Sequence, residues 1–186
     1  MIACKAFEPG LVCRGYQFHE GLNTTDKANC RENGFHCAAN PLDCLSYYSN
    51  MDRAEYWIVD AGGDVDEDEH DSKISCTELT ILRRLSKKDF FMFALAYMCD
   101  HPLLEWSSRV QMESGIARNG YAVVRGKDPV AKGNCGDILA LAKENADGTK
   151  IIQIGITAVD GKSVKPDVWY DIDLQRRRLV AKNQCA

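Results

Sequence analysis

Two stretches in the first hundred residues carry helix signals. The segment Asn40–Asp43 combines a capping side chain, a proline at the first helical position and an acid in the first turn. Apolar residues follow at helical spacing, which predicts a short helix over 41–50. Ser86 with Asp89 is a second capping pattern, and it predicts a helix over 87–100 that is apolar on nearly all sides. Such a helix needs cover, either from the rest of the chain or from a second copy in a homodimer.

Two runs of strand-forming residues lie between these predicted helices. Residues 54–61 and 74–82 are rich in β-branched and aromatic side chains, and glycines and charged residues bound them. The segment that joins them is strongly acidic, as expected for a solvent-exposed loop. Helices and strands together predict a mixed α/β domain with an acidic loop over residues 1–104.

The remainder of the chain shows short apolar runs separated by glycine-containing turns. Dipeptides such as Asn119-Gly120 and Asp147-Gly148 stand between two such runs, which is the usual chemistry of β-hairpins. The pattern predicts a β-meander or a short β-roll over 105–186. The predicted fold class is therefore α+β, with a mixed α/β amino-terminal half followed by a β-rich, glycine-punctuated carboxy-terminal half.

Length and composition favour a chain with a substantial core. The 186 residues are 45% hydrophobic, and a chain of this length buries about two-thirds of the surface that its unfolded form exposes. The longest apolar run, Phe90–Cys99, is about half of the roughly 20 residues that a membrane-spanning helix needs. The start, MIACKAFEPG, lacks the pattern of an export signal. We expect a soluble protein of the cytoplasm with no membrane partner.

Acidic side chains are concentrated between the two predicted strands. The segment Asp64–Asp71 opens like a calcium loop, but Glu69 stands where that loop needs glycine and Ser75 where it needs glutamate. Such a run is ordinarily a solvated loop; alternatively, closely spaced carboxylates imitate a nucleic-acid backbone and bind a basic channel. The same acidity disfavours strong direct binding of nucleic acid. The partner-binding candidates are Asp64, Asp66, Glu67, Asp68, Glu69 and Asp71.

Nine cysteines and four histidines supply candidate metal ligands and nucleophiles. The cysteine count is odd and no C-x-x-C pair occurs, so we predict reduced thiols and no metal site. The closest approach to such a site is His36 with Cys37, flanked by Cys30 and Cys44. No phosphate loop, metalloprotease motif or catalytic triad is recognisable. We therefore assign no catalytic residue and no cofactor, and an enzyme is the minority interpretation.

The chain carries short, specific motifs at both ends. They are Lys5-Ala6-Phe7, Cys13–Phe18, Asn33–His36, Asn40–Asp43, Tyr47-Tyr48 and Val164–Tyr170. Together they resemble an uncharacterised protein family that is common in phages and prophages, and the resemblance covers most of the chain. It implies an accessory gene product that acts in the host cell, and it implies no established activity.

A second resemblance concerns the amino-terminal half alone. Arg14-Gly15 is followed by Gly34–Ala38 and then by Tyr47-Tyr48, and these pieces resemble the nicotinamide-binding segments of ADP-ribosyltransferases. The Glu-x-Glu or Gln-x-Glu of that family does not follow them, which puts in doubt the carboxylate that stabilises the transition state. The resemblance implies a nucleotide-binding cleft. Its candidate residues are Arg14, His36 and Tyr48.

The leading functional hypothesis is non-enzymatic binding of a host protein. An acidic amino-terminal half would steer the protein onto a basic channel, such as that of a nucleic-acid-handling defence nuclease, and inhibit it as an anti-CRISPR protein does. A homodimer through 87–100 would display the acidic loop twice. Two alternatives stay open: a nucleotide-binding or ADP-ribosyltransferase-like domain, and a virion structural protein.

Overall fold

A computed structural model describes residues 1–68, 71–104 and 109–177. The chain divides into two compact units, Met1–Tyr97 and Met98–Ala186. The sequence-based boundary between residues 104 and 105 borders a stretch, 105–108, that lies outside the described residues, and it stays a prediction.

The described residues of the amino-terminal unit form seven strands, a 3-10 helix and most of an α-helix. Its strands are β1 (Ile2–Phe7), β2 (Val12–Cys13), β3 (Tyr16–Gln17), β4 (Gly21–Thr24), β5 (Phe35–Ala38), β6 (Glu55–Glu67) and β7 (Lys73–Leu85). The 3-10 helix spans Pro41–Ser46, and helix α1 spans Lys87–Asp100.

Four antiparallel strands of this unit pair in a closed circuit. Strand β1 pairs with β6, β6 with β7, β7 with β5, and β5 again with β1. The last contact is the shortest, because its register contains a single residue pair, Cys4 opposite Ala38. Strand β4 pairs with β7 over residues 78–81. Closure removes most of the free strand edges from this part of the sheet.

Apolar side chains of all four circuit strands form one core. Phe7, Phe35, Val59 and Leu79 are buried within it, and Phe18 packs edge-on against Phe7 with ring centroids 5.2 Å apart. Full burial of an apolar side chain of this size contributes about 1.5–3 kcal/mol.

Helix α1 begins and ends where the sequence predicts it. Ser86 and Asp89 form the expected capping contact, in which the Ser86 hydroxyl donates to the Asp89 carboxylate at 2.8 Å. The helix buries one face, and Phe90 contacts the Tyr56 ring at 4.4 Å between centroids, whereas Met92 on another face is 39% exposed. The homodimer through 87–100 stays a prediction.

The segment after Asn40 is helical, but it is shorter and tighter than the predicted helix over 41–50. The Asn40 side chain accepts a hydrogen bond from the Leu42 amide at 3.1 Å, and the 3-10 helix ends at Ser46.

The predicted α+β fold class, with its mixed α/β amino-terminal half, is wrong, because the described chain is mostly β-strand. Strands β6 and β7 are each 13 residues long, and β6 extends to Glu67, into the segment predicted to be an acidic loop. Asp66 lies opposite Ser75 and Glu67 opposite Ile74 in this hairpin. Backbone pairing does not require buried side chains, so charged residues concealed the strand pattern.

The carboxy-terminal unit contains a six-stranded sheet. Its strands are β8 (Val110–Ile116), β9 (Tyr121–Lys132), β10 (Ile138–Glu144), β11 (Ile151–Ala158), β12 (Trp169–Tyr170) and β13 (Arg176–Arg177). Strand β9 pairs in parallel with both β8 and β10, whereas β10 and β11 form an antiparallel hairpin. The parallel pairs distinguish this sheet from a simple antiparallel meander. Within the described parts of the chain, no helix has the length and apolar character needed to cross a membrane.

Candidate functional site

A cavity of about 590 Å³ lies in the amino-terminal unit. Its walls come from β1, β5, the β2–β3 hairpin and the 3-10 helix with the residues that follow it. Arg14, His36 and Tyr48, which the sequence analysis grouped as nucleotide-binding candidates, all line this one cavity. The size is within the range of small-molecule sites, which is about 300–1,000 Å³.

Lys5 is the most deeply buried cation of the cavity. It lies on the same face of β1 as Ala3 and Phe7, because side chains two residues apart in a strand point to the same side. The residue is only 4% exposed, and its ammonium lies 5.1 Å from the centroids of the Phe7 and Phe18 rings. Its ammonium donates to the His36 carbonyl oxygen at 2.6 Å and to the Cys13 sulfur at 3.8 Å.

The charge of Lys5 has no counterion in the described part of the chain, where no carboxylate lies within 4.0 Å of its ammonium. Removing an ammonium group from water without a counterion costs several kcal/mol. The cavity therefore holds a desolvated positive charge that an anion would compensate.

The pKa of His36 reflects the burial and the positive charge of the cavity. Burial lowers the pKa of its imidazole, and the positive charges of Lys5, Lys73 and Arg14 lower it further. Its Nε2 atom accepts a hydrogen bond from the Arg31 amide at 3.0 Å, so this nitrogen carries no proton in the ligand-free protein. A neutral imidazole thus stands among three cationic side chains.

Arg14 occupies a tight turn between β2 and β3. Cys13 pairs with Tyr16 across this hairpin, and the two turn residues, Arg14 and Gly15, have φ angles of 50° and 78°. Positive φ at both central positions is typical of a type I′ turn, in which arginine is an unfavourable residue. The guanidinium is exposed and, within the described ranges, forms no ion pair.

Aromatic side chains flank the cationic centre on two sides. Tyr16 packs against Phe18 and Phe35, with ring centroids 4.6 and 5.3 Å away, and is 47% exposed. Tyr47 is 54% exposed, and the Lys73 ammonium contacts its hydroxyl and lies 4.2 Å from its ring centroid. Exposed rings of this kind offer flat surfaces on which a planar base can stack.

Cys13 and Tyr48 form a polar pair at the cavity wall. The Tyr48 hydroxyl donates to the Cys13 sulfur at 3.3 Å, and the Tyr56 hydroxyl donates to the Tyr48 carbonyl oxygen. Burial raises the pKa of Tyr48, and the hydrogen bond to Cys13 raises it further. Tyr48 therefore remains a protonated donor.

The acidic candidates within the described residues differ in exposure. Asp64, Asp66 and Glu67 lie in β6 and are exposed, although Asp66 accepts the Cys30 amide at 2.6 Å. Asp68 forms an ion pair with Arg31 and has a side chain only 4% exposed. Asp71 lines the cavity and accepts the Lys73 amide at 2.7 Å. Glu69 lies outside the described residues.

Lys5, Lys73 and Cys13 are cavity residues that the sequence analysis did not assign to a site. Lys5 offered a signal, because it is the one charge in the apolar strand IACKAF. Nothing in the sequence connects it to Lys73, because strand pairing over a long separation brings the two together.

Candidate metal ligands do not converge in the described ranges, where no group of three or more His, Cys, Asp or Glu side chains is arranged to hold an ion. The eight cysteines with described positions are free thiols, and Cys185 lies outside them.

The part of the chain that forms the cavity matches a known protein family. No curated protein and no solved structure matches the chain. A family model matches residues 1–92, which include every residue of the cavity wall. The cavity thus belongs to a segment that matches the family described as Domain of unknown function (DUF7666).

Proposed function

We propose that the amino-terminal unit binds a nucleotide, of the adenine or nicotinamide class, in the cavity lined by Arg14, His36 and Tyr48. The observation that carries the proposal is Lys5, a buried cation at the cavity without a carboxylate partner in the described residues. The resemblance of this segment to nicotinamide-binding pieces of ADP-ribosyltransferases supports the same class of ligand.

The charges of the cavity favour a phosphate-bearing ligand. Lys5 and Arg14 have no carboxylate partner among the described residues, whereas Lys73 lies 3.9 Å from Asp71. Arginine binds two phosphate oxygens at once, and a desolvated lysine contributes a concentrated charge. A pyrophosphate between these two residues would compensate both charges.

The aromatic walls favour a ligand with a planar base. Tyr16 and Tyr47 are half exposed, and stacking of a base on such a ring is worth about 1–3 kcal/mol. Phosphate contacts and base stacking together distinguish a nucleotide from inorganic phosphate or a simple sugar phosphate.

We propose binding and not glycosyl transfer. The two carboxylates that line the cavity accept hydrogen bonds from the chain: Asp43 from the Ser72 hydroxyl at 2.6 Å, and Asp71 from the Lys73 amide. The Glu-x-Glu or Gln-x-Glu that supplies the catalytic carboxylate of ADP-ribosyltransferases does not follow the nicotinamide-binding segments in the sequence.

Isothermal titration tests the proposal and its pH dependence. We expect heat of binding with NAD and ADP-ribose and none with adenosine, which carries no phosphate. A bound anion favours the protonated imidazole, so the pKa of His36 should rise on binding from its lowered value. The complex then takes up a proton, and affinity for ADP-ribose should increase as the pH falls toward and below 6.5, the ordinary pKa of histidine.

The proposal fails if neither phosphate-bearing ligand produces heat at millimolar concentration. An affinity for ADP-ribose that is independent of pH would contradict the placement of the phosphates beside His36.

A second candidate function is binding of a basic host protein by the acidic end of β6. Asp64 and Glu67 are exposed there, and β6 pairs with β1 only over residues 55–60, which leaves one edge of the acidic end without a pairing strand in the described parts of the chain. This arrangement supports the hypothesis of a phage or prophage accessory protein that competes with nucleic acid for a nuclease.

Affinity capture from a host lysate across a salt series tests this candidate. The paired variant Asp64→Asn with Glu67→Gln should lose a captured basic protein, because neutral side chains no longer attract it. Asp147→Asn with Glu113→Gln, two changes in the other unit, is the matched control. Equal capture by both double variants at every salt concentration would exclude this surface.

A further inference from the structure

Cys13 is the thiol that the cavity exposes beside a cation. Its sulfur accepts hydrogen bonds from the Tyr48 hydroxyl at 3.3 Å and from the Lys5 ammonium at 3.8 Å. The residue is half-buried and lines the cavity, whereas Cys4, Cys37, Cys44 and Cys76 are buried. Both donors are directed at one sulfur, where they would compensate the negative charge that the sulfur carries when it reacts.

Lys5 supplies an independent indication that the cavity takes an anion. Its ammonium has three donors, and only the His36 carbonyl and the Cys13 sulfur accept from it in the described residues. The charge of this nearly buried ammonium is therefore left without a carboxylate in those residues. Arg14, in the same hairpin as Cys13, adds an exposed positive charge.

We propose that Cys13 is a thiol-modification site that takes small anionic disulfides and forms a mixed disulfide with them. The inference uses the cavity of the proposed function, but it requires no bound nucleotide. Lys5 and Tyr48 stabilise the attacking sulfur, and Arg14 attracts the negative charge of the reagent.

The reaction is a thiol–disulfide exchange. The Cys13 thiolate attacks one sulfur of the disulfide, a new sulfur–sulfur bond forms, and the original bond breaks. The second sulfur leaves with the electron pair as a thiolate, and the proton of the Cys13 thiol passes to water. Cys13 is oxidised and the departing half of the disulfide is reduced, so the exchange needs no other reactant.

Labelling of the native full-length protein with two reagents tests the proposal. Dithiobis(nitrobenzoate) is a dianionic aromatic disulfide, and dithiodipyridine is a neutral one. Absorbance of the released thiol gives the rates, and peptide mass spectrometry assigns them to Cys13 or to the exposed Cys135, which is the internal control. With the dianionic reagent, Cys13 should react about tenfold faster than Cys135.

Two substitutions separate the attraction of the charged reagent by Arg14 from the hydrogen bond that Lys5 donates to the sulfur. Arg14→Gln should slow the dianionic reagent at Cys13 more than the neutral one, because it removes attraction without altering the donors to sulfur. Lys5→Met should slow both reagents at Cys13, because it removes a donor to the thiolate. Neither change should alter the rates at Cys135. Circular dichroism confirms that each variant is folded.

The proposal is overturned if Cys13 in the unaltered protein reacts no faster than Cys135 with the dianionic reagent. Fast labelling of Cys13 that ADP-ribose does not slow, together with no heat of binding, would refute the proposed nucleotide function and leave the thiol site standing. Slow labelling of Cys13 together with measurable binding of ADP-ribose would refute the thiol site and leave the proposed nucleotide function standing.

Discussion

Lys5→Met is expected to weaken binding of NAD and ADP-ribose about 10- to 100-fold, since hydrogen bonds to charged groups contribute about 1.5–3 kcal/mol. Methionine fills nearly the same volume as the lysine stem, so the cavity keeps its shape. Isothermal titration of the two proteins at the same pH measures the difference.

The same substitution should change the free energy of unfolding little, because the desolvation that it relieves offsets the loss of the hydrogen bond to the His36 carbonyl oxygen. The ammonium is desolvated without a carboxylate in the described parts of the chain, and replacing such a charge with an apolar side chain removes a cost. Lys88→Met is the matched control, because Lys88 lies on helix α1 and does not line the cavity. Unchanged affinity in Lys5→Met would show that Lys5 does not contact the ligand.

Gly34→Ala is expected to destabilise the amino-terminal unit by about 3 kcal/mol, combining backbone strain with overpacking. Gly34 has a φ of 85°, and a Cβ atom there would lie 2.3 Å from the Ser75 hydroxyl oxygen and 2.9 Å from the Ala28 Cα. The second contact is with backbone, which cannot rotate away. Denaturant unfolding monitored by tryptophan fluorescence measures the change in free energy.

Gly10→Ala is the matched control for this steric effect. Gly10 has nearly the same φ, 83°, but beyond its chain neighbours no heavy atom lies within 4 Å of the position that an alanine methyl group would take. The substitution should cost only the strain of a left-handed alanine, about 1 kcal/mol. Equal losses in the two variants would mean that the close contacts at Gly34 relax without cost.

Elements that depend on local signals were predictable from the sequence, and those that depend on distant pairing were not. Helix α1 follows from its capping pair and its apolar run, which are adjacent in the chain. The long hairpin of β6 and β7 was mistaken for two short strands and a loop, because its outer residues are acidic and exposed. A charged residue indicates that its position faces solvent, and it does not show which strand its backbone pairs with.

In the candidate site, too, the residues marked by local motifs were predictable and those brought in by distant strand pairing were not. Arg14, His36 and Tyr48 were grouped by resemblance to known motifs, and the fold places all three at one cavity. Lys5 and Lys73 were missed, because a lysine in a strand carries no sign that it faces inward until the partner strands are known. Their role as cavity cations follows from the closed circuit of strands.

That circuit closes between β1 and β5 through one residue pair, Cys4 opposite Ala38, and the next residue of β1 spans the same junction with its side chain. The Lys5 ammonium donates to the carbonyl oxygen of His36, so a lysine supplements the few backbone hydrogen bonds that join these strands. A ligand that drew the ammonium away from His36 would weaken the junction, and one that left this bond intact would strengthen it. The proposed recognition of an anion and the junction between β1 and β5 therefore involve the same side chain.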